Sequence, residues 1–386
     1  MPAKITFFPV DNGDMSLIRL TDADSTSLLI DCKIRESADN PDETTPDVAK
    51  SLRDRLKTDK NNRPYVDAML LSHPDEDHCL GLEKHFWLGP VSDYSDDQKP
   101  QNEKRIIIRQ IWSSPMVFRR ATQKLRLCSD AKAFNKEAKR RIKINRESGF
   151  SVEDGDKILI MGEDENGKTD DLSPILIKQG QEFYGVNDRA NKYLTSHLLA
   201  PFSKQNDDRE EQLSKNDSSV IINFRIKSSE LGSSMSNFLT GGDAGVDIWE
   251  MIADEFQLAD VEYDLLQAPH HCSWRALSHD SWSDYGEAAT VSQKARKALG
   301  QAKNGAFIVS SSKPIADDDD DPPCIRAKRE YQSILGYSGI FKCTGEEPTK
   351  SKPAPLEFET TGNGFKRSQI ISAAVAVTST TPPRAG

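Results

Sequence analysis

Apolar and polar positions in the first third of the chain fall into short runs with near-alternation, the pattern of strands. Lys4 to Val10 is such a run, and Asp11-Asn12-Gly13-Asp14 predicts a turn. Met15 to Leu20 and Ser27 to Asp31 predict the next two strands, and Ala38 to Pro46 a polar loop. Thr45 to Leu56 predicts a helix, capped by Thr45 with Pro46 at its first position. Val66 to Ser72 is compact and apolar and predicts a buried strand. Residues 88–103 are loop-like, Arg105 to Trp112 predicts a strand, Gln123 to Asn145 a helix rich in Lys and Arg, and Lys157 to Met161 a further strand. An acidic turn region covers Glu163 to Asp171. Ser219 to Ile226 and Asn237 to Leu239 predict a hairpin, Val246 to Glu255 a helix, and Tyr263 to Gln267 and Ala306 to Ser310 two strands. After the acidic run Asp317 to Asp321, Gly336 to Cys343 and Gln369 to Val377 predict late strands, ahead of a loose tail from Thr378 to Gly386. Two sheets with helices outside them is the α/β arrangement this order suggests.

Composition narrows the class without changing that picture. At 386 residues with 29% charged and 36% apolar side chains, the chain has an ordinary globular balance. No apolar run approaches the ~20 residues needed to span a bilayer, and the N-terminus lacks the layout of a secretory signal. The six cysteines are scattered and form no CxxC pair, so a cytoplasmic location is expected. The net charge of −10 argues mildly against a nucleic-acid partner. Its distribution argues the other way: between Lys104 and Arg146 there are fourteen Lys or Arg against only Asp130 and Glu137.

The chemistry concentrates at His73-Pro74-Asp75-Glu76-Asp77-His78, directly after the buried strand. Imidazole nitrogen and carboxylate oxygen are what a divalent first-row ion takes, and a turn leaving a strand can present them to two adjacent positions. Alone, the segment is equally well a solvated acidic turn. Three later segments shift that balance. Phe238-Leu239-Thr240-Gly241-Gly242-Asp243 delivers a carboxylate at a strand end, with glycines that allow close backbone approach. Leu265 to Ser273 places His270 and His271 after a short apolar strand. Asn216-Asp217-Ser218-Ser219 precedes the strand that leads to Asp243.

In this order the four segments resemble the metallo-β-lactamase superfamily, and within it the hydrolase domains of ComEC-type DNA-uptake proteins. The resemblance covers about residues 4–345. It implies a four-layer αββα sandwich forming one hydrolase domain over 1–365, with a basic helical insertion around 113–150, and a C-terminal strand and tail over 366–386. It also implies two divalent ions, Zn²⁺ or Mn²⁺ with Mg²⁺ compatible. His73 and Asp75 would hold one ion and Asp77 and His78 the other, with Asp243 bridging and His271 a terminal ligand. Asp217 or Asn216 would stand where many relatives place a histidine, and His270 would be a second ligand or a substrate contact. Asp77 would orient the attacking hydroxide. Cys272 departs from the family's glycine, and Asp320-Asp321-Pro322-Pro323 from its late His-Pro-His. The expected reaction is hydrolysis of phosphodiesters in nucleic acids or nucleotides, in antiphage defence or nucleic-acid turnover with a protein partner encoded nearby. Lys136, Arg140 and Arg141 of the basic helix would hold the polyanion. Hydrolysis of a small ester, lactone or thioester is the alternative chemistry, and a non-catalytic binding module the alternative class.

Overall fold

The computed structural model describes residues 2–368, apart from 40–42, 125–126, 190, 206–209, 211–212, 215 and 230–231. Two mixed sheets form its centre. Across the first, the strands run Gly364–Arg367, Leu356–Thr361, Lys4–Phe7, Ser16–Arg19, Ser27–Ile30, Pro64–Leu70, Ile106–Ser113, Lys157–Met161 and Leu176–Ile177. Pairing is antiparallel as far as Ser27–Ile30 and parallel beyond it. Across the second they run Glu182–Tyr184, Leu194–Ala200, Ile221–Lys227, Met235–Leu239, Tyr263–Gln267, Ala302–Ser310 and Ile340–Cys343. Here the first four strands are antiparallel and the last three join in parallel.

Strand periodicity explains how the sheets pack. On the second sheet Leu198, Phe238, Leu265, Phe307 and Val309 belong to a core shared with the first sheet. Their neighbours Leu199, Leu239, Leu266 and Ile308 face the other way, into a core completed by helices Val246–Glu255, Gln293–Leu299 and Ile325–Leu335. Rings join the sheets across the middle: Phe7 meets Phe238 edge-on at 5.7 Å, and Phe307 meets Phe358 at 4.9 Å. Helices Val48–Arg53 and Ser129–Glu147 pack on the first sheet through Val48, Leu52, Phe134 and Ala138. Among the described residues, no helix is long and apolar enough to cross a membrane.

Several expectations change in detail. The first helix is capped by Asp47, whose carboxylate accepts from the Lys50 amide, rather than by Thr45. The basic stretch forms two helices, Pro115–Lys124 and Ser129–Glu147. They connect the adjacent parallel strands Ile106–Ser113 and Lys157–Met161 and supply the crossover a parallel pair requires. A boundary at 365 would cut the strand Gly364–Arg367. The predicted strand Gln369–Val377 and the tail lie outside the described residues.

Candidate metal centre

Three strand ends converge on one point. Pro64–Leu70 leads into His73, Met235–Leu239 into Asp243, and Tyr263–Gln267 into His270 and His271. The convergence needs glycine. A Cβ on Gly241 would lie 2.8 Å from the Gln267 carbonyl oxygen and from Pro269 Cα. One on Gly242, whose φ is +48°, would lie 2.7 Å from Ser219 Cβ.

Asp243 is the hub. It is 2% exposed, yet its two oxygens face four imidazoles. Oδ1 lies 3.2 Å from His78 Nε2 and 3.5 Å from His271 Nε2. Oδ2 lies 3.3 Å from His73 Nε2 and 3.6 Å from His270 Nε2. The segment that brings in two of these imidazoles is strained: His270, His271 and Cys272 have φ of 49°, 53° and 70°. Left-handed backbone costs about 1–2 kcal/mol per non-glycine residue, so the surrounding structure must hold this turn in place.

Behind the imidazoles stands a second row of polar groups. Asp31 Oδ2 accepts from His78 Nδ1 at 2.9 Å and from Ser72 Oγ at 2.6 Å, and its Oδ1 accepts from the Ser72 amide at 2.7 Å. Ser72 Oγ, having donated its proton to Asp31, accepts from His73 Nδ1 at 3.1 Å. Both rings are thereby fixed with Nε2 aimed at Asp243. Asp31→Asn keeps the shape and tolerates the residue's φ of 57°. It is expected to weaken divalent-ion affinity by about 10–100-fold in a chelator competition, and a loss below about threefold would contradict the orienting role.

The donor set suits a cation. His73 Nε2, His78 Nε2, His271 Nδ1, Asp243 Oδ1 and both oxygens of Asp14 are buried without a hydrogen-bond partner. Asp14, His78, Asp243 and His271 each offer one ligand atom, all within 4.8 Å of one another, and His73, Asp77 and His78 form an overlapping group. Without a cation the site balances its charge with protons. Burial would lower His271, but the Asp243 and Asp14 carboxylates outweigh it and push the imidazole up to about 10. Burial likewise opposes ionisation of Asp77, but the His78 and His271 imidazoles overcome it and hold the carboxyl well below its usual range. Asp77 Oδ2 lies 3.1 Å from His271 Nε2, and its side chain stays partly exposed. Asp75 Oδ2 stands 3.8 Å from His73 Nε2.

Two groups in this centre were not singled out from the sequence. Asp14 appeared only as part of a turn, and Asp31 only as the end of a strand. The signal available for Asp31 was its place at a strand's C-terminal end, as for His73.

Other candidates fall elsewhere. Asp217 Oδ2 accepts from the Ser214 amide at 2.8 Å and hydroxyl at 2.7 Å, and its Oδ1 accepts from the Gly245 amide at 3.2 Å. These bonds occupy its oxygens, so Asp217 shapes the wall of the site instead of joining the ligand cluster. Asn216, with its Oδ1 buried and unpartnered, lies on the same wall. Together with Asp243, His270, Arg275 and His279 these residues line a cleft of about 480 Å³. Among the described residues Arg275 is the one Lys or Arg that lines it, alongside Asp217, Asp243, Asp247 and Asp280.

None of the described residues lining this cleft belongs to the basic helix. Arg141 is fully buried, its guanidinium donating to Glu137 and to the carbonyls of Ile108, Arg109 and Lys157. Arg140 is tied to Glu137 and Asp156. Both serve the fold, because their donors are consumed by its own acceptors, and neither is available to a polyanion. Lys136 remains exposed, as do Lys132 and Lys139.

In comparison with protein-family models and with curated proteins, nothing matches this chain.

Proposed function

We propose that this protein is a divalent-metal-dependent hydrolase of the metallo-β-lactamase fold that acts on phosphodiesters. The observation that carries the reading is the buried Asp243 carboxylate within 3.6 Å of four imidazole nitrogens, three of them on buried rings. So many nitrogens around one buried carboxylate, with unpartnered polar atoms beside it, is how a protein prepares a metal site. The facing sheets with helices on their outer sides support the four-layer αββα form of that fold. His78, His271 and Asp14 would hold one ion, and His73 with Asp75 or Asp77 a second, with Asp243 shared between them. The mixed set of imidazoles and carboxylates suits Zn²⁺ or Mn²⁺, with Mg²⁺ compatible.

Such ions supply Lewis-acid activation of water and of the attacked centre. The chain's own residues do the rest. Asp77, ionised and partly exposed, would orient the attacking water through its carboxylate. Asp31 and Ser72 keep His78 and His73 from turning. Arg275, the one guanidinium among the described residues lining the cleft, offers a single contact for a phosphate oxygen in a lining that also holds Asp217, Asp243, Asp247 and Asp280.

The test is metal quantification on the purified protein, paired with a substrate panel. The panel comprises single- and double-stranded DNA, RNA, cyclic nucleotides, a chromogenic phosphodiester, a lactone and a thioester. The expected result is stoichiometric divalent metal with phosphodiester cleavage that a chelator removes and added Mn²⁺ restores. Cleavage of the lactone or thioester alone would replace the substrate class. A chain that takes up no metal would favour a binding module.

A further inference from the structure

Two thiols meet at the back of the metal loop. Cys79 ends the short helix Glu76–Cys79, one residue after His78. Cys128 is the N-cap residue of the helix Ser129–Glu147. Their sulfurs are 3.5 Å apart, although the residues are 49 positions apart in sequence. Cys79 is buried and Cys128 partly exposed, so one sulfur is open to a small oxidant and the other waits behind it.

We propose that Cys79 and Cys128 form a peroxide-oxidisable pair whose closure to a disulfide loosens the metal centre. The second half of this statement rests on the metal reading above; the bond itself does not. Cys128 is the nucleophile. It is the more exposed of the two sulfurs, and it accepts the Ala131 amide at 3.4 Å at the helix N-terminus, which favours its thiolate. In the first step the Cys128 thiolate attacks a peroxide oxygen, giving a sulfenic acid and hydroxide. The Cys79 thiol then attacks that sulfur, the S–S bond forms, and water leaves with the Cys79 proton. The peroxide takes both electrons.

Closure has a mechanical result. The sulfurs must approach from 3.5 Å to a bond of ~2.05 Å. Cys79 Sγ also gives up its hydrogen bond to the Asp75 carbonyl at 3.1 Å. Asp75 and His78, both in the metal loop, are attached to the backbone that moves.

The experiment treats the metal-loaded full chain with hydrogen peroxide. It then maps peptides by mass spectrometry without reduction and measures divalent-ion affinity on the same samples. The expected result is a linked 79–128 peptide, reversed by dithiothreitol, with affinity weakened by about tenfold or more, the scale of a lost outer-shell partner. Cys128→Ser, which keeps a good N-cap, should form no linked peptide and should hold its metal under peroxide. Separate alkylation of Cys79 and Cys128 after treatment would overturn the pair. A linked peptide with unchanged affinity would overturn the coupling. A linked peptide in a chain that takes up no metal even when reduced would also overturn the coupling, and would place the failure in the metal reading.

Discussion

Asp243→Asn is expected to strip the protein of its metal and of its hydrolytic activity together. The substitution is nearly isosteric, so Gly241 and Gly242 can still bring the strand end in close. What disappears is the negative charge that His73, His78, His270 and His271 surround at 3.2 to 3.6 Å. A neutral amide offers one weak oxygen where the carboxylate offers two strong ones. Outer-shell changes in metal sites cost about 10–100-fold in affinity, and losing the shared ligand should exceed that range. Elemental analysis after dialysis and a turnover assay read the result. Circular dichroism should show the fold intact. Stoichiometric metal and near-normal turnover in Asp243→Asn would remove the hub from the mechanism.

Arg141→Ala should produce the largest loss of stability, with no direct effect on the cleft. The guanidinium is 0% exposed and donates at 2.8 Å to Glu137, at 3.0 Å to the Ile108 and Lys157 carbonyls, and at 3.3 Å to the Arg109 carbonyl. Removing one partner of a buried charged pair costs about 3–5 kcal/mol. Arg140 still satisfies Glu137 at 2.7 and 2.8 Å, so the lower end of that range is expected. Most of the loss comes from the cavity and from carbonyls that each lose a donor. Urea unfolding measures it. Arg141→Met, which refills the space, should recover part of the loss. A change under ~1 kcal/mol, accompanied by weaker polyanion binding, would return Arg141 to the surface role expected from charge alone.

The contrast between these residues shows what the amino-acid order makes legible. His73, Asp243 and His271 could be read because each follows within four residues a strand whose apolar run is visible, and His78 because it shares one short polar segment with His73. Asp14 sits in a short polar turn, and only tertiary contact makes it part of the centre, whereas Asp31 closes the visible strand Ser27–Ile30 and carries the same strand-end signal as His73. Arg141 was misread as a surface charge although its position carried a warning. It lies on the helical stripe Ala131, Phe134, Ala138, Arg141 and Asn145, the face that packs on the first sheet. The strand Leu194–Ala200 was not anticipated either. Thr195, Ser196 and His197 interrupt its apolar pattern, yet Ser196 and His197 are buried inside the second sheet. The hairpin Leu356–Arg367 was equally unforeseen, although Leu356, Phe358 and Thr360 alternate inward in register.

That hairpin bears on how the protein is made. Lys4–Phe7 hydrogen-bonds on one edge to Ser16–Arg19 and on the other to Leu356–Thr361. On a ribosome adding about 5–20 residues per second, the first partner follows almost at once, whereas the second trails by roughly 20–70 s. Throughout that interval the nascent chain presents an unpaired strand edge beside the apolar side chains of Ile5 and Phe7, the kind of template on which other chains pair. Yield in a cell should therefore depend on chaperone cover during synthesis more steeply than the stability of the finished fold would suggest.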